Sequence, residues 1–477
     1  MVKRVNWRVS AALSPVRAEV RATLEVAAPL IAANLAQMAM GFTNTVMVGH
    51  LGSAALAAAG LGGLLYFTSG FVLQGVISAA APLAAHALGA GDRAAAGRVG
   101  RLGLVFAVVL SLPLAAAAIN LRSMLLALGY ETALTDEIGR FLGAVVWGAP
   151  AFLGFAALRN LLAALSHTRA VMTVLMCCVP ANAALNWVLI YGHLGAPPLG
   201  VAGAGIASAI VQWLMFGGLA LYISAMRSVR TLLAFGRTPA LDWHDVKGLL
   251  RLGAPIGGIL ALEVGVFVAA GVLVGLISAD ALGANQIVFN VASLTFMVPM
   301  GISQAATVRC AFELGAQRPD GAWLAARVAL ALGVSFMAAA AIVLWSAPRA
   351  IVAVYLDVDA AANHDVVAIA TRLMFIAALF QVFDGTQTVA AGALRGYKDT
   401  AIPMVIAGLG YWGIGFVGGA LLAFPLGYGA IGLWWGLALG LAVVAMLLGM
   451  RLFRLGRSTP PSVLPRLAAG ANVNHKA

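Results

Sequence analysis

Apolar and polar positions alternate along this chain in long blocks rather than in short periods. Twelve apolar stretches approach or exceed the length of about 20 residues that a helix needs to cross a bilayer. They lie near 26–48, 54–82, 102–121, 141–163, 170–191, 200–226, 252–278, 281–308, 328–347, 367–394, 401–423 and 429–450. The pattern predicts an all-α polytopic membrane protein with 12 transmembrane helices. The connections alternate in character. Those before 26, at 83–101, 164–169, 227–251, 309–327, 395–400 and after 450 are basic, whereas those at 49–53, 122–140, 192–199, 279–280, 348–366 and 424–428 are neutral or acidic.

Charge turns this pattern into a topology. When charges near span ends are assigned to the adjoining loop, 25 of the 29 Lys and Arg fall to the basic set, leaving Arg122, Arg140, Arg349 and Arg372 to the other. Cytoplasmic loops are the positive ones, so both termini of this multi-pass chain are expected in the cytoplasm. The expected organisation is a cytoplasmic segment 1–25, a six-helix lobe 26–226, a cytoplasmic linker 227–251, a second six-helix lobe 252–450 and a cytoplasmic tail 451–477.

Composition agrees with this. Of 477 residues, 62% are hydrophobic and 10% charged, and the mean hydropathy is +0.97. A soluble domain carries about 25% charged residues, so a soluble, disordered or fibrous protein is excluded. The net charge of +12 arises from the basic loops and calls for no nucleic-acid partner. Cys177, Cys178 and Cys310 cannot build a disulfide framework and read as small core residues. Lys3, Arg4, Arg8, Arg17 and Arg21 break up the start of the chain, so no cleaved signal peptide is expected.

The two halves repeat. Pro29 pairs with Pro255, Gly49 with Gly275, Leu56 with Leu282, Gly75 with Gly301 and Gly89 with Gly315, all at an offset of 226. Residues 166–172 match 398–404 at an offset of 232, and 198–200 match 425–427 at 227. Six spans per half is an even number, so the lobes are expected to be parallel repeats about an axis along the membrane normal, with substrate bound between them.

Fifteen of the 17 acids lie in loops, and the other two, Glu263 and Asp384, lie near the middle of the seventh and tenth spans. A carboxylate at the bilayer centre costs at least about 2.5–3.5 kcal/mol and normally faces a cavity or a partner. No Lys, Arg or His is expected mid-span to neutralise the pair, which points to a bound Na⁺ or proton as the coupling cation. In the repeat Glu263 aligns with Gln37 and Asp384 with Phe152, so the acids belong to the C-terminal lobe and the N-terminal lobe offers amides. Gln37, Asn44, Asn182, Asn186, Gln286 and Asn290 are the expected substrate- or ion-lining positions, with Gln381 and Gln387 as further mid-span amides. Asn182 and Asn186 share a helix face, as do Gln286 and Asn290. Helix–helix hydrogen bonding is the alternative use of such amides. Met38, Met40, Met47, Met172 and Met176 supply adaptable apolar surface. The string 200–205 (GVAGAG) opens a membrane span rather than following a strand, so it reads as close helix packing and not as a nucleotide loop. No Walker A motif, metal-ligand His/Cys spacing or nucleophile triad is present. Neither an enzyme activity nor a resident cofactor is expected.

Four segments carry a family resemblance. They are QMAMGFTNTVMVGHLG (37–52), NAALNWVLIYG (182–192), LGANQIVFNVASLTFMVP (282–299) and FDGTQTVAAGALRGYKDT (383–400). Together the chain resembles the multidrug and toxic compound extrusion (MATE) transporters of NorM type over about 20–455. The resemblance implies two six-helix lobes, an outward-facing V-shaped cleft, and export of cationic amphiphiles coupled to inward Na⁺ or H⁺, with cation-binding roles for Glu263 and Asp384. It also exposes two departures. The family often has Asp where this chain has Asn44, and an aromatic hydroxyl where it has Phe380.

The expected function is a secondary active multidrug antiporter, working as a monomer on small cationic drugs or toxins within membrane lipid. One alternative is a lipid-linked oligosaccharide flippase of the same superfamily, which would call for a cationic cavity. Another is an intramembrane enzyme using the two carboxylates.

Overall fold

A computed structural model describes residues 14–226, 229–230, 233 and 242–458. Its twelve candidate spans are α1 Pro15–Gly49, α2 Ser53–Gly89, α3 Arg93–Ala127, α4 Thr132–Ala164, α5 Thr168–Tyr191 and α6 Gly200–Ala225, then α7 Trp243–Gly275, α8 Ala279–Gly315, α9 Pro319–Ser346, α10 Ala361–Gly396, α11 Ala401–Ala423 and α12 Gly429–Arg457. The two six-helix lobes follow in this order. Of the expected terminal and linker segments, residues 1–13, 459–477 and most of 227–241 lie outside the described residues.

Helix ends fall where side chains or glycine can satisfy the end groups. Asp92 Oδ1 accepts from the Ala95 amide at 2.8 Å, and Ser278 Oγ accepts from Ala281 at 3.0 Å. Gly192 closes α5 with φ of 79°, a left-handed conformation that glycine alone adopts freely. The helices outrun the apolar stretches, α1 starting at Pro15 and α7 at Trp243. Arg, Lys and Glu are good helix formers, so charge ends the apolar stretch without ending the helix.

The repeat is visible in three dimensions as a pseudo-two-fold exchange of contacts. A Cβ on Gly89 would strike the Phe312 carbonyl, and one on Gly315 would strike that of His86. Phe312 and His86 are themselves 226 apart. Likewise a Cβ on Gly75 would come within 2.9 Å of Gly257 Cα, and one on Gly301 within 3.0 Å of Ile31 N, again repeat mates. Four glycines thus bring α2 and α8 against the opposite lobe at backbone distance. In lipid, apolar burial itself drives little association, and such close approach is what holds helices together. Gly205 does the same within the first lobe, where a Cβ would come within 2.6 Å of the Phe141 carbonyl.

These contacts gather at the end of the molecule that carries the basic loops. The apolar core of the N-terminal lobe takes in Leu252, Ile256 and Val308 from α7 and α8, and that of the C-terminal lobe takes in Val26, Ala27 and Leu30 from α1. Ion pairs join the lobes at the same end: Arg98–Asp245 at 3.0 Å and the buried Arg309–Glu19 at 2.5 Å. Among the described residues, the cross-lobe hydrogen bonds reach from there only as far as Asn34 Nδ2 to the Met297 carbonyl, 3.5 Å, near the middle of α8. The lobes are therefore sealed at the basic end.

One residue departs from its expected burial. Cys178 and Cys310 are buried, but Cys177 is exposed, because neighbouring helix residues point about 100° apart and of the two on α5 only Cys178 turns toward the core.

Candidate functional site

A cavity of about 620 Å³ lies between the lobes, above the sealed end. Repeat mates approach it from opposite sides, Gln37 facing it with Glu263 and Phe152 with Asp384. Aromatic rings, among them Phe67, Phe71, Phe267 and Phe296, make most of its wall apolar.

The acidic side is built by α7, α10 and α11. Asp384, 6% exposed, accepts a hydrogen bond from Gln387 Nε2 at 3.1 Å. Gln387 Oε1 in turn accepts from the Tyr411 hydroxyl at 2.6 Å. Tyr411 is fully buried in a π-helical segment, Leu409–Phe416, that interrupts α11. Such segments are rare and frequent at functional sites. The neighbouring Trp412 Nε1 donates to the Leu262 carbonyl at 3.1 Å and so ties this segment to α7 beside Glu263. Glu263 itself is half-buried and lines the cavity. Phe380 packs its ring against Phe267 and Trp434, centroids 6.0 and 5.4 Å away. Phe380 brings no hydroxyl to this cluster; the one present is that of Tyr411 on Gln387, which the sequence reading missed. Gln381 accepts from Thr295 Oγ1.

No Lys, Arg or His was expected mid-span to meet the acids, yet arginine side chains from nearer the span ends reach the cavity. Arg159 on α4 and Arg395 on α10 both line the cavity, and Arg309 is buried within α8. Each lies near a helix end in sequence, but its long side chain runs inward instead of snorkelling out to water. Arg159 Nη1 donates to Gln37 Oε1 at 3.1 Å, and its Nη2 donates to Asn34 Oδ1 at 2.6 Å and Gln304 Oε1 at 2.7 Å. The N-terminal lobe therefore contributes a guanidinium as well as amides. A cavity without cationic side chains, the basis for setting a flippase aside, is not what the structure shows.

The remaining expected positions stand elsewhere. Asn44, Asn182 and Asn186 form a second polar cluster inside the N-terminal lobe. Asn186 Nδ2 donates to Asn44 Oδ1 at 2.7 Å and to the Asn182 carbonyl at 2.8 Å, and Asn44 Nδ2 donates to Ser208 Oγ at 3.4 Å. None of the three lines the cavity. Gln286 is exposed and Asn290 half-buried on α8, and neither is in the cavity wall. Among the described residues no three His, Cys, Asp or Glu converge as a metal site. Two carboxylates with amide oxygens nearby are still the hard oxygen donors that a weakly held Na⁺ uses, and either can take a proton.

With this geometry in view, the comparisons with known proteins are direct. The MatE family model matches residues 29–188 and 255–421, two segments that begin at the repeat-related Pro29 and Pro255. A probable multidrug resistance protein NorM of Mesorhizobium japonicum is 42% identical over 447 residues, covering 93% of this chain and 96% of that protein. The multidrug resistance protein NorM of Burkholderia vietnamiensis is also 42% identical, over 90% of this chain and 92% of that one. Among solved structures, the outward-facing conformation of a multidrug resistance MATE family transporter superposes with a TM-score of 0.84 at 15% identity, over 94% of this chain and all of that one. The eukaryotic MATE transporter AtDTX14 superposes at 0.82 and 22% identity, over 93% of this chain and 98% of that one.

Proposed function

The chain belongs to the MATE family of multidrug efflux transporters, and from that premise we propose that it exports cationic amphiphiles across a bacterial inner membrane in exchange for inward Na⁺ or H⁺. The observation that carries this reading is the placement of Glu263 and Asp384. Among the described residues they are the two carboxylates of an inter-lobe cavity sealed at one end. With the termini cytoplasmic, the sealed basic end faces the cytoplasm and the cavity faces outward. A cation arriving from outside binds the carboxylates and weakens their hold on a positively charged substrate, which leaves. The loaded lobes then rock about the cavity, open to the cytoplasm, release the cation and take up the next substrate. Burial in a low-dielectric site and a bound cation pull a carboxylate's protonation in opposite directions, and that competition is the coupling. The chain acts as a monomer, since one chain supplies both lobes.

Arg159 and Arg395 keep a lipid pyrophosphate in play as cargo, but two carboxylates offset them in the same cavity, and the relatives at 42% identity are named for multidrug resistance. Proteoliposomes with independently imposed Na⁺ and pH gradients test the proposal. Efflux of a cationic dye should follow one or both gradients, and dye movement indifferent to both would overturn it.

A further inference from the structure

Four charged side chains line the inter-lobe cavity among the described residues: Glu263, Asp384, Arg159 and Arg395. Two carboxylates and two guanidiniums sum to a formal charge of zero. The cavity is therefore charge-separated rather than simply anionic, and attraction to net positive charge cannot be its whole basis of selection.

Arg159 stands out among the four. Its three hydrogen-bond partners, Asn34, Gln37 and Gln304, are all neutral amides. They satisfy geometry without cancelling charge. A guanidinium has five N–H donors in a planar fork, and the three bonds leave two of them. The side chain is only half-buried, and it lines the cavity. Its position has no counterpart in the other lobe. At the offset of 232 that pairs Phe152 with Asp384, Arg159 pairs with Ala391, which also lines the cavity. Amide oxygens from α1 and α8 thus hold one asymmetric, uncancelled cation against the substrate space.

We infer that Arg159 is an anion subsite that receives the carboxylate of a substrate whose cationic group is held by Glu263 and Asp384. A carboxylate matches the guanidinium fork, and the aromatic wall between accommodates the apolar body. Gln304 comes from the opposite lobe to Arg159, so a carboxylate bound there also competes with a cross-lobe hydrogen bond. The inference rests on the transporter reading above.

The test uses a matched dye pair on the purified full-length protein. Rhodamine B carries a delocalised cation and a carboxylate, and its ethyl ester keeps the cation alone. By fluorescence anisotropy, Arg159→Gln should weaken rhodamine B binding about tenfold, the loss expected of one charge-assisted hydrogen bond, while ester binding changes less than about twofold. Arg159→Lys keeps the charge without the fork and should fall between. Equal weakening of both dyes, or of neither, would overturn the subsite. If Arg159→Gln does not fold, the native protein decides, because it should bind rhodamine B more tightly than the ester, and a preference for the ester overturns the proposal. Gradient-driven efflux of the ester in proteoliposomes separates the two readings. Ester efflux without discrimination by Arg159 would sink the subsite alone, whereas no efflux of either dye would sink the transporter reading.

Discussion

Arg309 on α8 clasps Glu19 on α1 with two hydrogen bonds, Nε to Oε1 at 2.9 Å and Nη2 to Oε2 at 2.5 Å, and both residues are buried. Glu313 stands one turn away, 3.4 Å from Nη2. The pair spans the lobe boundary at the sealed end, so opening that end must break it. Replacing Glu19 removes the cross-lobe half of this buried pairing and leaves Glu313, on the same helix as Arg309, to offset the charge, a loss of compensation that is costly in a buried site. A state in which Arg309 meets water escapes that cost. Glu19→Gln should therefore shift the protein toward opening at the basic end. A cysteine replacing Ala311, buried beside this pair, should be protected from a permeant maleimide in the native background and become reactive in Glu19→Gln. Unchanged protection would mean that the pair does not latch the lobes.

The glycine seams should behave as a matched set. Gly89→Ala and Gly315→Ala each push a methyl into backbone of the opposite lobe, which cannot move aside as a side-chain tip can. Both should loosen the sealed end, and by similar amounts, because the two contacts are repeat mates. The same cysteine reporter at position 311 checks this. A large effect from one glycine and none from the other would show that the pseudo-two-fold has no energetic counterpart.

For the acids, Glu263→Gln and Asp384→Asn should each abolish gradient-driven efflux while leaving the protein in the membrane. Each removes a negative charge with little change of shape, and each coupled charge lost forfeits about 2.3 kcal/mol per 100 mV of membrane potential. Efflux at the native rate in both variants would refute the coupling role.

The twelve spans, the repeat and the two acids were all legible in the sequence, for one physical reason. Each is an extreme of cost or period in an apolar background, and extremes survive without coordinates. Arg159 and Arg395 were misassigned because charges near span ends were credited to loops. The clue was local: Arg159 is embedded in FAALRNLLAAL (155–165), where no loop residues surround it. Tyr411 was invisible for a different reason. Its role depends on a π-helical segment in α11 and on Gln387, 24 residues away, and neither can be read from spacing. The amides divide by the same logic. Gln37 inherits a cavity position from its repeat mate Glu263, whereas Asn44 and Asn186 hydrogen-bond each other, with the Asn182 carbonyl, inside one lobe.

Orientation can be checked chemically. In a background lacking Cys177, Cys178 and Cys310, cysteines replacing Ala196 and Ala353 should react with an impermeant thiol reagent added outside intact cells. A cysteine replacing Ala94 should react only after permeabilisation. The reverse pattern would place the sealed end outside and invert the direction of the proposed cycle.

Asn44 offers the sharpest test of where coupling resides. It accepts a hydrogen bond from Asn186 and donates one to Ser208, so the N-terminal cluster is held together by neutral groups. If the coupling cation binds only in the C-terminal lobe, Asn44→Ala should cost packing and leave the dependence on Na⁺ and pH unchanged. Asn44→Asp keeps the size and the acceptor, and Ser208 can reverse its hydrogen bond to donate. The variant adds one titratable group to the N-terminal lobe. Below its pKa the new carboxyl is neutral and the variant should transport as the native protein does. Above it, a second lobe carries negative charge, cations are held more tightly, and release should slow. The pH–rate profile of Asn44→Asp at fixed Na⁺ should therefore fall below the native profile on the alkaline side and rejoin it on the acid side. Superimposable profiles across the range would show that the N-terminal cluster is uncoupled from the cavity, and that the lobe's contribution runs through Arg159 and Gln37 instead.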